Sequence, residues 1–350
     1  MAYKVGSTTI VDADRNGTFD SVKASNFFID DGIEVAPFPD HVAETNGFVI
    51  NANVRKFPIA ITSGTAVDVG EAPSPTPTTI GSYKHGYQDS NYGYVSGSAD
   101  NLYRFPFSIT SGTLTSLGSI QGSGTDLSRY WRGDNHSDPV NGYGFRAGGY
   151  GYPFAGPIPG SPFNQMKDIS KFPFSNPTSA SVEVGELINL KSRGPSNGVS
   201  SQTQAFAAHG GNNYSADTNI EKFPFSISSG STTDVGECGP SKIDGGTYNS
   251  ETDGYSQGQY NISKFPFSIT SGTATQIANF NPEPNAAKTY RTAGCVSGLT
   301  AGFHGLAGVG SPWPTPYTDI RKTPHAQTTG SYSDVGELGD GGTYGAAIND

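Results

Sequence analysis

The stretch Lys222-Phe223-Pro224-Phe225-Ser226-Ile227-Ser228-Ser229-Gly230-Ser231-Thr232-Thr233-Asp234-Val235-Gly236-Glu237 decides the reading of this chain. Phe223, Phe225 and Ile227 alternate with Pro224 and Ser226, the period-two pattern of a half-buried strand. Ser229-Gly230-Ser231 then supplies a glycine that tolerates positive φ, as a hairpin turn requires. Asp234-Val235-Gly236-Glu237 carries the returning strand.

Working outward, the same order recurs along the chain. The first element returns as Lys56-Phe57-Pro58-Ile59, Arg104-Phe105-Pro106-Phe107, Lys171-Phe172-Pro173-Phe174 and Lys264-Phe265-Pro266-Phe267, with a degenerate copy at Lys322-Thr323-Pro324-His325. The second returns as Asp68-Val69-Gly70-Glu71, Glu183-Val184-Gly185-Glu186 and Asp334-Val335-Gly336-Glu337, and has drifted to Ser116-Leu117-Gly118-Ser119 and Gln276-Ile277-Ala278-Asn279. A third, glycine-closed element lies upstream, as in Gly93-Tyr94-Val95-Ser96-Gly97, Phe206-Ala207-Ala208-His209-Gly210-Gly211, Gly254-Tyr255-Ser256-Gln257-Gly258 and Gly294-Cys295-Val296-Ser297-Gly298. The Phe-Pro copies stand 48, 67, 51, 42 and 58 residues apart, close to the ~40 to 50 residues of a propeller blade. A solenoid of such units needs polar capping repeats, whereas a ring does not. Six copies predict an all-β, six-bladed β-propeller, with seven blades as the alternative. The last C-terminal strand is expected to join the blade begun by the N-terminal strands.

Composition agrees with this architecture. Gly 47 and Pro 24 make up about 20% of the 350 residues, and charged residues only 15%, against roughly 25% in an average globular chain. Twenty Phe and 18 Tyr give far more apolar surface to bury than a disordered chain carries. A net charge of −10 argues against a nucleic-acid partner or an anionic membrane surface, since both are bound through clustered Lys and Arg. The N-terminal residues lack an apolar signal-peptide region and no run of 18 apolar residues occurs, so neither a secretory precursor nor membrane insertion is expected. Cys238 and Cys295 match no disulfide, metal or redox spacing and read as buried structural thiols.

The repeat resembles the kelch repeat in its order of strands, although double glycine survives only at Gly210-Gly211 and valine stands where kelch units carry tryptophan. The proline within the Phe-Pro strand points to an edge strand or a bulge. A closer resemblance is to the Lys-Phe-Pro-Phe…Asp-Val-Gly repeat proteins of tailed bacteriophages, marine cyanophages above all, which are taken to be virion appendage or tail-fibre-like proteins. It covers roughly residues 45 to 340. Tyr3-Lys4-Val5-Gly6-Ser7-Thr8-Thr9-Ile10-Val11-Asp12-Ala13-Asp14-Arg15-Asn16 is separately similar to a segment of phage fibre proteins. The resemblance implies a non-enzymatic virion structural protein, assembled in the host cytoplasm and placed on a tail or surface appendage that contacts the host. A capsid or tail decoration protein without host ligand, or a cellular kelch-like adaptor, is the alternative. Residues 1–33 read as an N-terminal β attachment arm to other virion proteins, and 34–350 as the propeller.

Candidate sites are few. His41, His85, His136, His209, His304 and His325 show no metal-ligating spacing and read as surface or loop residues, and no nucleophile elbow, Walker loop or dinucleotide fingerprint appears. No catalytic residue, cofactor site or metal centre is therefore expected. The paired acids of Asp-Val-Gly-Glu recur blade after blade, which favours a structural job. Asp12, Asp14, Asn16 and Asp20 have the spacing of half a calcium loop, but Lys23 stands where the bidentate Glu belongs, so a plain turn is favoured. Arg132-Gly133-Asp134 is a chance tripeptide. The long interval between the second and third copies implies an insertion near 122–166, rich in aromatics. Tyr130, Trp131, Tyr143, Tyr150 and Tyr152, together with Trp313, are the candidate contacts to a host cell-surface glycan or protein.

Overall fold

A computed structural model describes residues 3–5, 8–11, 27–28, 34–35, 45–50, 53–71, 85–96, 101–120, 133–151, 164–176, 181–189, 191, 198–208, 211–212, 215–216, 218–239, 246–257, 261–279, 294–305, 318–339 and 346–350. The chain divides into two units, Met1–Ala43 and Glu44–Asp350. In the first, Tyr3–Val5 pairs with Thr8–Val11 and Phe27–Phe28 with Glu34–Val35, both antiparallel.

The second unit is a six-bladed β-propeller built from antiparallel four-stranded sheets. Blade one is formed by Ala346–Asn349, Asn46–Ile50, Asn53–Pro58 and Val67–Glu71, and blade two by His85–Gln88, Tyr92–Ser96, Asn101–Pro106 and Thr115–Ser119. Asp134–Asp138, Tyr143–Gly151, Asn164–Pro173 and Val182–Glu186 make blade three; Val199–Ser200, Gln204–Ala207, Asn219–Pro224 and Thr233–Glu237 make blade four. Blade five comprises Thr247–Asn249, Asp253–Gln257, Asn261–Pro266 and Thr275–Asn279, and blade six Gly294–Ser297, Ala301–Gly305, Asp319–Pro324 and Ser333–Glu337. Strand order within each blade follows that sequence. First strands touch first strands from blade one round to blade six and back, so they form the inner ring.

Blade one is composite, as the repeat phase predicts. Ala346–Asn349 pairs with Asn46–Ile50 in the register Ala347↔Val49 and Ile348↔Phe48. Just beyond that strand, the Asp350 carboxylate accepts hydrogen bonds from the backbone N–H groups of Thr45 (2.6 Å) and Asn46 (2.8 Å), and from Thr45 Oγ1 (2.8 Å) and Asn46 Nδ2 (2.7 Å). Two segments some three hundred residues apart are thus clasped by one side chain.

Each residue of the repeat has a packing job. The Phe of Phe-Pro lies across a glycine of the second strand, as in Gly47↔Phe57, Gly93↔Phe105 and Gly254↔Phe265. A β-carbon added at Gly93 would stand 2.4 Å from the Phe105 ring, so only glycine fits beneath it. The preceding cation lies over a second-strand aromatic, Lys56 over Phe48 (5.3 Å) and Arg104 over Tyr92 (4.4 Å). Lys56 Nζ and Lys171 Nζ also reach the carbonyls of Phe107 and Phe225 in the next blade.

The strand boundary differs from the period-two expectation. Each third strand ends at its proline, and Phe-Ser-Ile after it turns: Ile109 N–H donates to Pro106 O (2.9 Å) and Ile227 N–H to Pro224 O (3.0 Å). Alternation of buried residues persists there because a tight turn also points every second side chain inward. The proline does not mark an edge strand either. The third strand is paired on both sides, and the proline is tolerated because the fourth strand's ladder ends two residues earlier, at Arg104↔Thr115 in blade two.

Turn and neighbouring blade then lock together. The Glu186 N–H donates to Gly230 O (2.9 Å) and Thr232 N–H to Glu186 O (2.9 Å), a parallel bridge between the outer strand of blade three and the turn of blade four. Glu71 with Thr113, Glu237 with Thr273 and Glu337 with Thr65 repeat it, the last across the ring closure. Each bridge pairs the last residue of an outer strand with the neighbouring blade's turn. Apolar clusters fill the wedges between blades, such as Phe48 and Ile50 of blade one against Phe105, Phe107 and Ile109 of blade two.

Candidate functional site

Strands alternate in direction, so segments following second and fourth strands leave one end of the ring, and segments following first and third strands leave the other. Residues 121–132, 152–163 and 306–317 all join strands at the first of these ends. Tyr130, Trp131, Tyr152 and Trp313 fall in those segments, outside the described residues, as do Asp12, Asp14, Asn16 and Asp20. Tyr143 opens a second strand and therefore stands at the opposite end, where its ring packs under Lys171 Nζ at 4.0 Å. Tyr150 pairs with Gln165 in the extended hairpin of blade three. Within the expected insertion over 122–166, Asp134–Asp138 and the lengthened Tyr143–Gly151 are strands of the blade itself, while 122–132 and 152–163 lie outside the described residues. The Phe-to-Phe spacing is long because this hairpin is long.

The same end of the ring carries a buried polar cluster between blades two and three. Arg146, 3% exposed, donates from Nε to Tyr87 Oη (2.9 Å) and from a terminal nitrogen to Ser96 Oγ (2.7 Å). Tyr87 Oη donates to Asn135 Oδ1 (2.8 Å), and Asn135 Nδ2 stands 2.6 Å from His85 Nδ1. Asp134 is buried one residue away. A buried guanidinium is tolerated only when its donors are satisfied, and this chain of hydrogen bonds does that. Inner strands elsewhere read Ala-Ala-Ile-Asn or Gly-Cys-Val-Ser, while these read His-Gly-Tyr-Gln and Asp-Asn-His-Ser-Asp. That contrast was the available signal, and a search confined to repeated residues passes over it.

A second cluster lies between blades five and six. Tyr248 stacks on Tyr255 (4.6 Å, 7°), and His325 continues the stack against Tyr255 (5.0 Å, 18°). His304 Nε2 lies 3.0 Å from Thr323 Oγ1, both residues being fully buried. Thr323 occupies the place of the repeat's phenylalanine, and Tyr248 covers Gly302 in its stead. His85, His136 and His304 are therefore not the surface or loop residues expected. His85, His136 and His304 are buried, and loss of hydration pushes His136 and His304 down to about 3 and His325 to about 4, so all three are neutral at physiological pH. His41 and His209 lie outside the described residues. Cys238 and Cys295 are buried, and burial pushes the Cys295 thiol up, which keeps it protonated and unreactive.

The acids of the repeat split into two jobs. Asp68, Asp234 and Asp334 each accept a hydrogen bond from the glycine N–H two residues on (3.2, 3.0 and 3.2 Å), and the glutamates engage the neighbouring turn through their backbone. Two groups of three carboxylates meet across third and fourth strands: Asp168, Glu183 and Glu186 in blade three, and Asp319, Asp334 and Glu337 in blade six. Within blade six Arg321 joins the group, its guanidinium 2.9 Å from Asp319. In blade three Glu183 is raised above the usual carboxylate range, by lost hydration first and then by repulsion from Asp168 and Glu186. A groove of about 290 Å³ runs beside it, between Val184-Gly185 and the Ser228–Ser231 turn.

No known protein-family model matches the chain, and no curated protein is similar to it.

Proposed function

We propose that this protein is a non-enzymatic structural component of a bacteriophage virion, a propeller carried on a tail or surface appendage whose irregular end meets the host cell. The observation that carries the reading is the division of labour in the ring. Repeated residues are consumed in joining blade to blade, while the long segments 121–132, 152–163 and 306–317, which hold Tyr130, Trp131, Tyr152 and Trp313, share one end with the Arg146 polar cluster. Tyrosine and tryptophan side chains on non-repeating segments suit a glycan or a protein hot spot. The likeness of the Lys-Phe-Pro-Phe…Asp-Val-Gly repeats and of residues 3–16 to phage fibre proteins supports the virion setting, and the net charge of −10 fits a protein partner better than nucleic acid. Among the described residues no helix is long and apolar enough to cross a membrane.

The reading is tested by adding the purified full chain to susceptible cells. Saturable binding that blocks adsorption of the phage is expected, and substitution of Trp131 and Trp313 by Ala weakens it tenfold or more. Absence of competition would favour a decoration protein docked on the particle. A chain lacking residues 1–33 is expected to keep the folded propeller but to fail to incorporate into particles; undiminished incorporation would remove the arm from the account.

A further inference from the structure

The six blades are not equal copies, and their departures from the repeat recur three blades later. The second-strand residue paired with the repeat's cation is Phe48, Phe145, Phe206 and Phe303 in blades one, three, four and six, but Tyr94 and Tyr255 in blades two and five. Across from these two, and in no other blade, the first strand also carries a tyrosine, in the pairs Tyr87↔Tyr94 and Tyr248↔Tyr255. The next second-strand residue is Arg146 in blade three and His304 in blade six, against Val49, Val95, Ala207 and Ser256 elsewhere. Opposite the last residue of the fourth strand stand Asp168 and Asp319 in blades three and six, and Asn53, Asn101, Asn219 and Asn261 in the rest. The turn isoleucine of the other four blades becomes Asn176 and Gln327 in the same two.

Blades three apart in a ring of six stand half a turn from each other. The matched departures set blades one to three over blades four to six, and they gather at two boundaries, between blades two and three and between blades five and six. Contacts there match as well: Arg146 donates to Tyr87 Oη (2.9 Å), and the His304 ring lies 5.6 Å from that of Tyr248. Blades three and six also share long second-to-third connections without a charged residue, 152–163 and 306–317, which contain Gly160-Ser161-Pro162-Phe163 and Gly310-Ser311-Pro312-Trp313. Both leave the ring at the same end. Duplication of a three-blade unit explains the matching, and a shared task explains why polar groups that are costly to bury persist at both boundaries. We propose that the ring is a tandem of two three-blade units bearing two equivalent sites at one end, half a turn apart, and that both take the same uncharged motif of a repeating surface polysaccharide. The two connections offer aromatic, proline and hydroxyl groups and no charge, which suits a neutral sugar, and two like sites on one end suit a ligand that is itself repeated. The proposal rests on the host-contact reading given above.

The test is calorimetry of the full chain with surface polysaccharide purified from susceptible cells, cut to short fragments or left intact, beside binding of the chain to the cells themselves. Fragments are expected to bind at two per chain, and the intact polymer about a hundredfold more tightly or better, because the second site is then engaged intramolecularly. Replacing either 152–163 or 306–317 by Asn-Gly, the connection of a two-residue hairpin, is expected to preserve cooperative unfolding, to halve the stoichiometry and to remove the gain from the intact polymer. Replacing both should leave no binding. One fragment per wild-type chain, or loss of all binding with one replacement and none with the other, would overturn the proposal while leaving host contact standing. Binding to cells that survives removal of the polysaccharide but not protease treatment would overturn it in favour of a protein partner. Absence of any binding to cells would overturn the host-contact reading, and this proposal with it.

Discussion

At the scale of single residues, this protein spends polar groups inside its wedges as well as aromatics on them. His136 and His304 are held near pKa 3 by burial, with the Arg321 charge adding to the effect at His304. A folded-state value below the unfolded 6.5 means that the unfolded chain binds more protons between the two, so stability is complete above pH 6.5 and falls as pH drops toward 3. By pH 5 the loss is about 2 kcal/mol for each histidine. Urea unfolding at pH 7 and pH 5 measures it, and H304Q is expected to lose distinctly less than wild type over that interval; an identical pH slope would contradict the assignment. The depth of His85, His136 and His304 is not legible from the spacing of histidines. No ligand spacing says nothing of depth, and depth here follows from inner-strand membership: His85 and His136 lie in first strands, while His304 sits in the second strand of blade six.

At the scale of elements, the unit of construction is the lock between one blade's outer strand and the next blade's turn. A β-carbon added at Gly185 would stand 2.7 Å from both Gly230 O and Ile227 Cδ1. G185A is therefore expected to cost about 1–3 kcal/mol through overpacking. Shortening the facing side chain in I227V should recover part of this, giving a coupling of at least about 0.5 kcal/mol in a double-mutant cycle. Strict additivity would show that the contact is not what excludes a side chain. Nature's own comparison is blade five, where Ala278 replaces the glycine and the facing residue is Gln327, whose Nε2 reaches Ile277 O at 3.4 Å. The repeat made the blade legible from Phe-Pro and Val-Gly spacing alone. Its internal boundaries were harder to place, because Phe225 and Ile227 alternate inward in a turn much as they would in a strand, and because the hairpin of blade three is longer than its siblings.

For the whole molecule, closure was the boldest expectation from sequence and rests on repeat phase. Six Phe-Pro copies, the first lacking an inner strand ahead of it, leave a vacancy that Ala346–Asn349 fills. Asp350 fastens that strand through Thr45 and Asn46, so D350A is expected to destabilise the ring by about 1–2 kcal/mol. Removal of 346–350 should abolish the single cooperative transition, because inner strands of blades two and six would each lose a neighbour. Function was less legible than fold. Repeats announce a scaffold, whereas a partner is read from the segments that do not repeat, and the polar inner strands of blades two and three, which do not repeat, escape a search for repeated residues. The central claim, that this ring is part of a virus particle, is tested most directly by antibody labelling of purified phage particles, with quantitative mass spectrometry of the same preparation. The account predicts a fixed stoichiometry and label on an appendage or particle surface. Recovery of the protein only from infected-cell lysate, at no fixed ratio to particles, would contradict it.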